Sequence, residues 1–328
     1  MDRRQFIKNA AITSVMIVGG TKLGYGLTAN SGVNIRWSMG WILWRDFKGR
    51  NIPLSEAIQN LSDLRVDGIE FSPRKGELEK FGFTRESFKD LLTEKKLLLS
   101  GNYFGGNFHD KSQHDSIVSS FKDILGNLKF YGAKNVIVGP PGRGKWSDYQ
   151  HSAGDGNESE VPDKIKAMAP FLNELGKMAA DSGIEIGLHP HLNTIVEKSE
   201  EIDMIMELTD PRYVKLSPDT GHIFLAGGNV VEIIKKYKDR VNYFHLKDAA
   251  GTFRRPDFGP NIREMGQGEV DFPGVMKVLK KIKFKGWLNV EQDFTTLTPS
   301  ESAAISMKYI NPHCNCRLPQ QEKSEKIQ

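Results

Sequence analysis

Short apolar runs alternate with longer amphipathic ones along most of the chain. Eight runs rich in β-branched and aromatic residues have the length of buried strands: "VNIRWSM" (33–39), "DGIEFS" (67–72), "LLLSGNY" (97–103), "NVIVG" (135–139), "IEIGLH" (184–189), "YVKLSP" (213–218), "VNYFHL" (241–246) and "WLNVE" (287–291). Between them lie "SEAIQNLSDL" (55–64), "SIVSSFKDILGNLKFY" (116–131), "KIKAMAPFLNELGKMAADSG" (164–183), "EEIDMIMEL" (200–208), "VVEIIKKYKD" (230–239) and "FPGVMKVLKKI" (272–282). These repeat apolar residues at the three- and four-residue spacing of a helix with one buried face. Gly132, Gly183 and Gly286 stand between a helical segment and the next strand, where a helix end favours a left-handed residue. Eight strands alternating with about eight helices predict a parallel sheet, and eight is the number that closes a single-domain α/β TIM barrel, (β/α)8. The alternative is an open doubly wound sheet, against which the missing G-x-G-x-x-G after the first strand counts.

The two ends break this rhythm. "MDRRQFIKNAAITSVMIVGG" places Arg3, Arg4 and Lys8 before an apolar stretch from Ala10 to Gly20, the layout of an export signal. Arg3-Arg4-x-Phe6-x-Lys8 also resembles a twin-arginine motif; a general secretory signal is the other reading. Residues 1–30 are therefore set apart from a barrel over 31–312, and the expected location is outside the inner membrane, with no stable membrane anchor after signal removal. Residues 313–328 form a polar tail holding His313, Cys314 and Cys316; two cysteines make no disulfide framework. The net charge of +4 is slight, and no basic run interleaved with aromatics points to nucleic acid.

In a parallel barrel the working residues sit where strands end, on the C-terminal rim. Strand five ends on His189, with His191 two positions on. Strand six runs into Asp219-Thr220-Gly221-His222. Strand seven carries His245 and then Lys247-Asp248. Strand eight ends on Glu291, with Asp293 next but one. Singly, each has an ordinary explanation: a hydrogen-bonded core histidine, an Asp capping a turn, or a Lys247-Asp248 surface pair. Jointly, four consecutive strands deliver imidazole or carboxylate to one rim, and such groups can share a divalent cation. Mixed nitrogen and oxygen ligands suit Mn, Fe, Co, Ni or Zn better than Ca or Mg. Two long loops, 139–162 after strand four and 248–271 after strand seven, have the length of segments that cover a site.

These residues carry a family resemblance. "DTGH", "FHLKD", "GQGEVDFPGVMKVL" and "GWLNVEQD", in that order, resemble the xylose isomerase-like sugar isomerase/epimerase superfamily of TIM barrels. "GLHPHLNTIVE", "DTGHIFLAGGN", "HLKD" and "EQD" are most similar to its inosose dehydratase branch. The resemblance spans roughly residues 33–310 and implies a metal held by Asp219, His245 and Glu291. His189 stands where many relatives have Glu, which puts a symmetric two-carboxylate proton shuttle in doubt and gives His189 or His191 a ligand or base role. The implied chemistry is proton abstraction next to a carbonyl, with isomerisation, epimerisation or dehydration as the outcome.

On this reading His189, Asp219, His245 and Glu291 are metal ligands, and Glu291, His189 and His191 are candidates for the base. Glu70, His191, His222, Lys247 and Arg143 are candidates for substrate contacts, and Trp37, Trp41 or Trp44 could wall a sugar ring. The expected partner is a small sugar or keto-polyol, unphosphorylated if the chain is exported. A non-catalytic carbohydrate binder and an endonuclease IV-like DNA repair enzyme are readings of other classes. The second would need more ligands and a basic surface.

Overall fold

The computed structural model describes residues 34–45, 52–73, 76–143, 158–253 and 257–310. The export-type segment, the Cys314–Cys316 tail and most of the loop after strand four lie outside these residues.

The predicted barrel is present. Parallel strands β1 (Asn34–Gly40), β2 (Gly68–Glu70), β3 (Leu98–Gly105), β4 (Asn135–Gly139), β5 (Glu185–Leu188), β6 (Val214–Leu216), β7 (Tyr243–Leu246) and β8 (Lys285–Val290) form one sheet. The first and last strands pair directly, Asn34 with Lys285 through Met39 with Val290. The circle closes between β6 and β7 through parallel bridges at Leu216–Val241 and Asp219–His245. A (β/α)8 barrel, rather than an open sheet, is therefore the fold.

Ten helices accompany the strands among the described residues: α1 (Leu54–Asp63), α2 (Glu77–Lys80), α3 (Arg85–Glu94), α4 (His114–Tyr131), α5 (Val161–Asp181), α6 (Ser199–Leu208), α7 (Thr220–Leu225), α8 (Val230–Lys236), α9 (Phe272–Lys281) and α10 (Pro299–Ile310). The apolar spacing acts as expected: α1 buries Leu54, Ala57, Ile58 and Leu61 on one face. α3 was not evident from periodicity, since its sequence "RESFKDLLTE" is polar. It is secured by a Thr84–Ser87 capping box and buries Phe88 and Leu92. Gly132 and Gly183 do take the left-handed conformation (φ 74° and 68°). Gly286 has a different role: Lys283 (φ 53°) makes the left-handed turn after α9, and a Cβ on Gly286 would stand 2.8 Å from the Asn242 carbonyl oxygen.

Along β7 the side chains alternate. Phe244 and Leu246 join the main apolar core between sheet and helices, while Tyr243 packs with Ile137 and Trp287 in a separate inner cluster. His245 shares the inward face with Tyr243, which is how a histidine comes to lie inside an apolar strand. The barrel interior is also wired by polar pairs, Ser38 Oγ to Asn289 and Ser100 Oγ to the Tyr243 hydroxyl, each 2.9 Å. The loop after β7 folds back as a short antiparallel hairpin pairing Asp248–Ala249 with Ile262–Arg263.

Candidate active site

Four strand ends converge. His189 follows β5 directly, and Asp219 is three residues past β6. His245 lies within β7, and Glu291 directly follows β8. One ligand atom from each of these four side chains lies within 4.8 Å of the others. His189 Nε2 is 4.0 Å and His245 Nδ1 3.9 Å from Asp219 Oδ2, and His245 Nδ1 is 2.6 Å from Glu291 Oε2.

Asp219 divides its carboxylate. Oδ1 caps α7 by accepting the His222 N–H at 2.8 Å, while Oδ2 turns into the centre. The capping role read from the sequence is present on one oxygen, and the other stands among His245 and Lys247. Glu70 ends β2 and accepts a 2.7 Å hydrogen bond from His245 Nε2. His245 thus stands between two carboxylates, Nε2 on Glu70 and Nδ1 facing Glu291; with an ion at the centre, Nε2 would keep its proton and Nδ1 would present its lone pair.

Asp219 Oδ2, His245 Nδ1 and Glu291 Oε2 are all buried, and none makes a hydrogen bond. The Lys247 ammonium compensates the two carboxylates from one side only, at 3.0 and 3.2 Å, and crowded buried carboxylates and imidazoles are a setting that a further cation would relieve. Two imidazoles and two carboxylates suit a first-row divalent ion, so these residues fit one.

The electrostatics follow from crowding. Burial alone would lower the pKa of His245, but the Glu291 and Glu70 carboxylates outweigh it and hold the imidazole well above its ordinary range. Burial alone would raise Glu291, but His245 and Lys247 outweigh it and keep the carboxyl well below the usual carboxylate range. Burial pushes Asp219 up to about 6 against the opposing pull of Lys247. Burial, then the His245 charge, holds His189 well below an ordinary histidine. His191 is lowered by burial and then by Lys247.

Lys247 is 1% exposed, and its ammonium lies 2.5 Å from Asp293 Oδ2, 2.9 Å from His222 Nε2, 3.0 Å from Asp219 Oδ2 and 3.2 Å from Glu291 Oε2. Burial opposes its charge, but Asp219, Asp293 and Glu291 raise its pKa well above the lysine value. The chain makes room for the stem at Gly221, where a Cβ would stand 2.7 Å from Lys247 Cγ.

A cavity of about 420 Å³ opens above the centre. His189, His191 and Glu291 face it together with Glu70, Tyr103 and Asp293, and Trp41 and Phe71 contribute apolar wall. His191 Nδ1 donates to the Leu192 carbonyl at 2.7 Å, since a carbonyl can only accept, which leaves Nε2 as the acceptor of the neutral ring. Phe258, from the loop after β7, sets its edge against His191 and His222, with centroids 5.6 and 4.9 Å away.

Several expectations need correction. Arg143 does not reach the cavity: its guanidinium is fully buried against Glu201 (2.6 and 2.7 Å), Glu158 (2.8 Å) and the Thr194 carbonyl (3.2 Å), with Glu197 at 3.7 Å. Three carboxylates from the flanking segments capture it away from the cavity wall. His222 and Lys247 lie one layer behind the cavity wall, bonded to each other. Lys247 and Asp248 are no surface pair. Asp248 is buried and accepts the N–H groups of Ala249, Gly266, Gly268 and Val270, which shapes the loop after β7. Of the three tryptophans considered for a sugar wall, Trp41 lines the cavity, Trp44 is core and Trp37 packs against it.

Tyr103, near the end of β3, escaped the sequence reading. It faces the cavity edge-on to His189, centroids 5.7 Å apart, and burial followed by the Glu291 charge raises its pKa. A polar hydroxyl late in the apolar run "LLLSGNYFG" was the available signal, the same one that exposed His189 and His245.

Among the described residues no helix is long and apolar enough to cross a membrane. The chain is 28% identical to an inosose dehydratase of Bacillus velezensis over 306 residues, covering 85% of this chain and 96% of that one. It is 30% identical over 280 residues to an inosose dehydratase of Clostridium botulinum, covering 80% and 90%. Among solved structures, the IOLI protein with a binding zinc atom superposes with a TM-score of 0.66 at 18% identity, covering 84% of this chain and 96% of that one. A family model, xylose isomerase-like TIM barrel, matches residues 58–313. With the barrel closed and this model matching most of its length, the chain belongs to the xylose isomerase-like TIM barrel family.

Proposed function

We propose that this chain is a divalent-metal-dependent lyase that removes water from a keto-polyol of the inosose class. The carrying observation is the convergence of His189, Asp219, His245 and Glu291 beside a fifth group, the His191 imidazole, on the cavity wall. The inosose dehydratase relatives support the reading.

When bound, the ion polarises the substrate's carbonyl and makes the neighbouring C–H acidic. His191 is the base: burial and Lys247 keep it neutral, and its Nδ1–H bond to Leu192 leaves Nε2 to take the proton. The C–H and C–O bonds break, C=C forms, and His191 returns its proton to the departing hydroxide, so one water leaves and the site is restored. Tyr103 keeps its proton and offers a hydrogen bond to a substrate oxygen. Lys247 remains charged and stabilises negative charge developing above Asp219 and Glu291.

The cavity favours an uncharged substrate. Among the described residues, Glu70, Glu77, Glu291 and Asp293 line it, against Arg45 as the lining Lys or Arg. A phosphate there would meet carboxylates. This agrees with an exported chain acting on free sugars, a location we propose from residues 1–30 alone.

The second reading is isomerisation or epimerisation, favoured by the enolate-type step the two reactions share. His189 in place of a second carboxylate weighs against a symmetric shuttle. Incubating Mn²⁺- or Co²⁺-loaded protein with inososes and ketosugars in D₂O separates them. Loss of one water by mass spectrometry supports the lyase. Deuterium incorporation without mass loss supports the isomerase, and neither, with metal bound, would leave the carbohydrate-binding reading.

A further inference from the structure

A second set of donors lies beside the four-residue centre. Ring nitrogens of His189, His191 and His222 lie within 4.8 Å of one another. His222 Nε2 is 3.9 Å from Asp293 Oδ2 and 3.9 Å from Asp219 Oδ2. His222 is 1% exposed, and its Nδ1 has no partner. On its His222, Asp293 and Asp219 side this set faces the Lys247 ammonium. Its surroundings are three carboxylate oxygens and an imidazole nitrogen at 2.5–3.2 Å, the donor types a divalent ion would choose. Asp219 and Glu291 border both positions, as carboxylates shared by paired cations do.

We propose that Lys247 is a built-in cation occupying the second position of a two-cation centre. The natural chain then takes a single divalent ion. Removing the ammonium creates a second divalent-metal site on His222 and Asp293, with Asp219 and Glu291 shared and His191 within reach. The inference rests on the metal reading of the first position, and it assigns Lys247 the task of holding the centre at one ion. A fixed charge achieves this without depending on metal supply. Lys247→Ala leaves Asp293 without its cation and Asp219 and Glu291 with one counter-ion in place of two, which is the driving force for a second ion.

The test is Mn²⁺ stoichiometry, by isothermal titration and by elemental analysis after desalting, with electron paramagnetic resonance on the same samples. The natural chain is expected to hold one Mn²⁺ with the six-line spectrum of an isolated ion, even in large Mn²⁺ excess. Lys247→Ala is expected to hold two, with a spin-coupled spectrum, and Lys247→Ala/His222→Ala to return to one. Lys247→Ser is the parallel variant should Lys247→Ala misfold. A single isolated ion in both Lys247 variants overturns the proposal, and so does a second ion in the natural chain. No ion in the natural chain overturns the metal reading itself, a result distinct from these.

Discussion

Arg143 separates a structural from a substrate-binding role. Its guanidinium is shut away from solvent between Glu201, Glu158 and Glu197 and bonds the Thr194 carbonyl. Arg143→Met keeps much of the volume but removes the charge, stranding Glu197 and Glu201, which are both buried. Stripping one partner from a buried ion pair costs about 3–5 kcal/mol. Here the lower end applies, because Glu201 still accepts the N–H groups of Glu197 and Lys198, and Glu197 that of Asn193. A loss of about 3 kcal/mol corresponds to a fall in Tm of roughly 6–12 °C at the scaling of domains of about 150–250 residues. The turn bearing His191 keeps its backbone clasp, Arg143 N–H to the Asn193 carbonyl and Ile195 N–H to the Pro141 carbonyl, so KM is expected to change little. Arg143→Met/Glu201→Met, which removes both charges, is expected to recover part of the lost Tm. Melting curves and steady-state kinetics of the variants decide the matter. An unchanged Tm with a large rise in KM would refute the structural assignment and return Arg143 to the substrate.

Glu70→Gln keeps a hydrogen-bond acceptor for His245 Nε2 but loses the charge, and it is expected to weaken metal binding about 10–100-fold in a competition titration against a fluorescent chelator. Asp248→Asn offers one acceptor oxygen where four N–H groups are held, so at least two lose their partner; at about 1–3 kcal/mol for each unsatisfied group, chemical denaturation should register several kcal/mol of lost stability. Gly221→Ala forces a methyl against the Lys247 stem and is expected to cost about 1–3 kcal/mol in stability with a marked fall in kcat, whereas a variant as active as the natural chain would show that the stem can yield.

The barrel was legible because each strand is short, buried and rich in branched residues, and each long helix carries a single apolar stripe. The convergence of His189, Asp219, His245 and Glu291 was legible for a related reason. His189 and His245 are polar groups where the pattern demands apolar ones, and such a conflict needs a partner in the fold. What escaped was decided by long-range pairing. Nothing near Arg143 in sequence announces that Glu197 and Glu201, more than 50 residues on, will enclose it. Lys247 reads as a substrate contact or a surface partner of Asp248 until Asp219 after β6 and Glu291 and Asp293 after β8 surround it. α3 was hidden because its stability comes from a cap and two buried residues rather than from a full stripe.

The barrel's closure has a mechanical consequence. Seven of the eight strand junctions are ladders, but β6 and β7 meet only through isolated bridges, and one of these joins Asp219 to His245. The same two residues supply ligand atoms to the centre, so an ion held between them would act as a rivet across the seam. Its binding free energy would then also be closure free energy, felt by the backbone as well as by substrate. Amide hydrogen exchange should find that chelation loosens residues 214–222 and 241–246 ahead of the β1–β8 junction. Catalytic readiness and the integrity of the wall would thus be lost together.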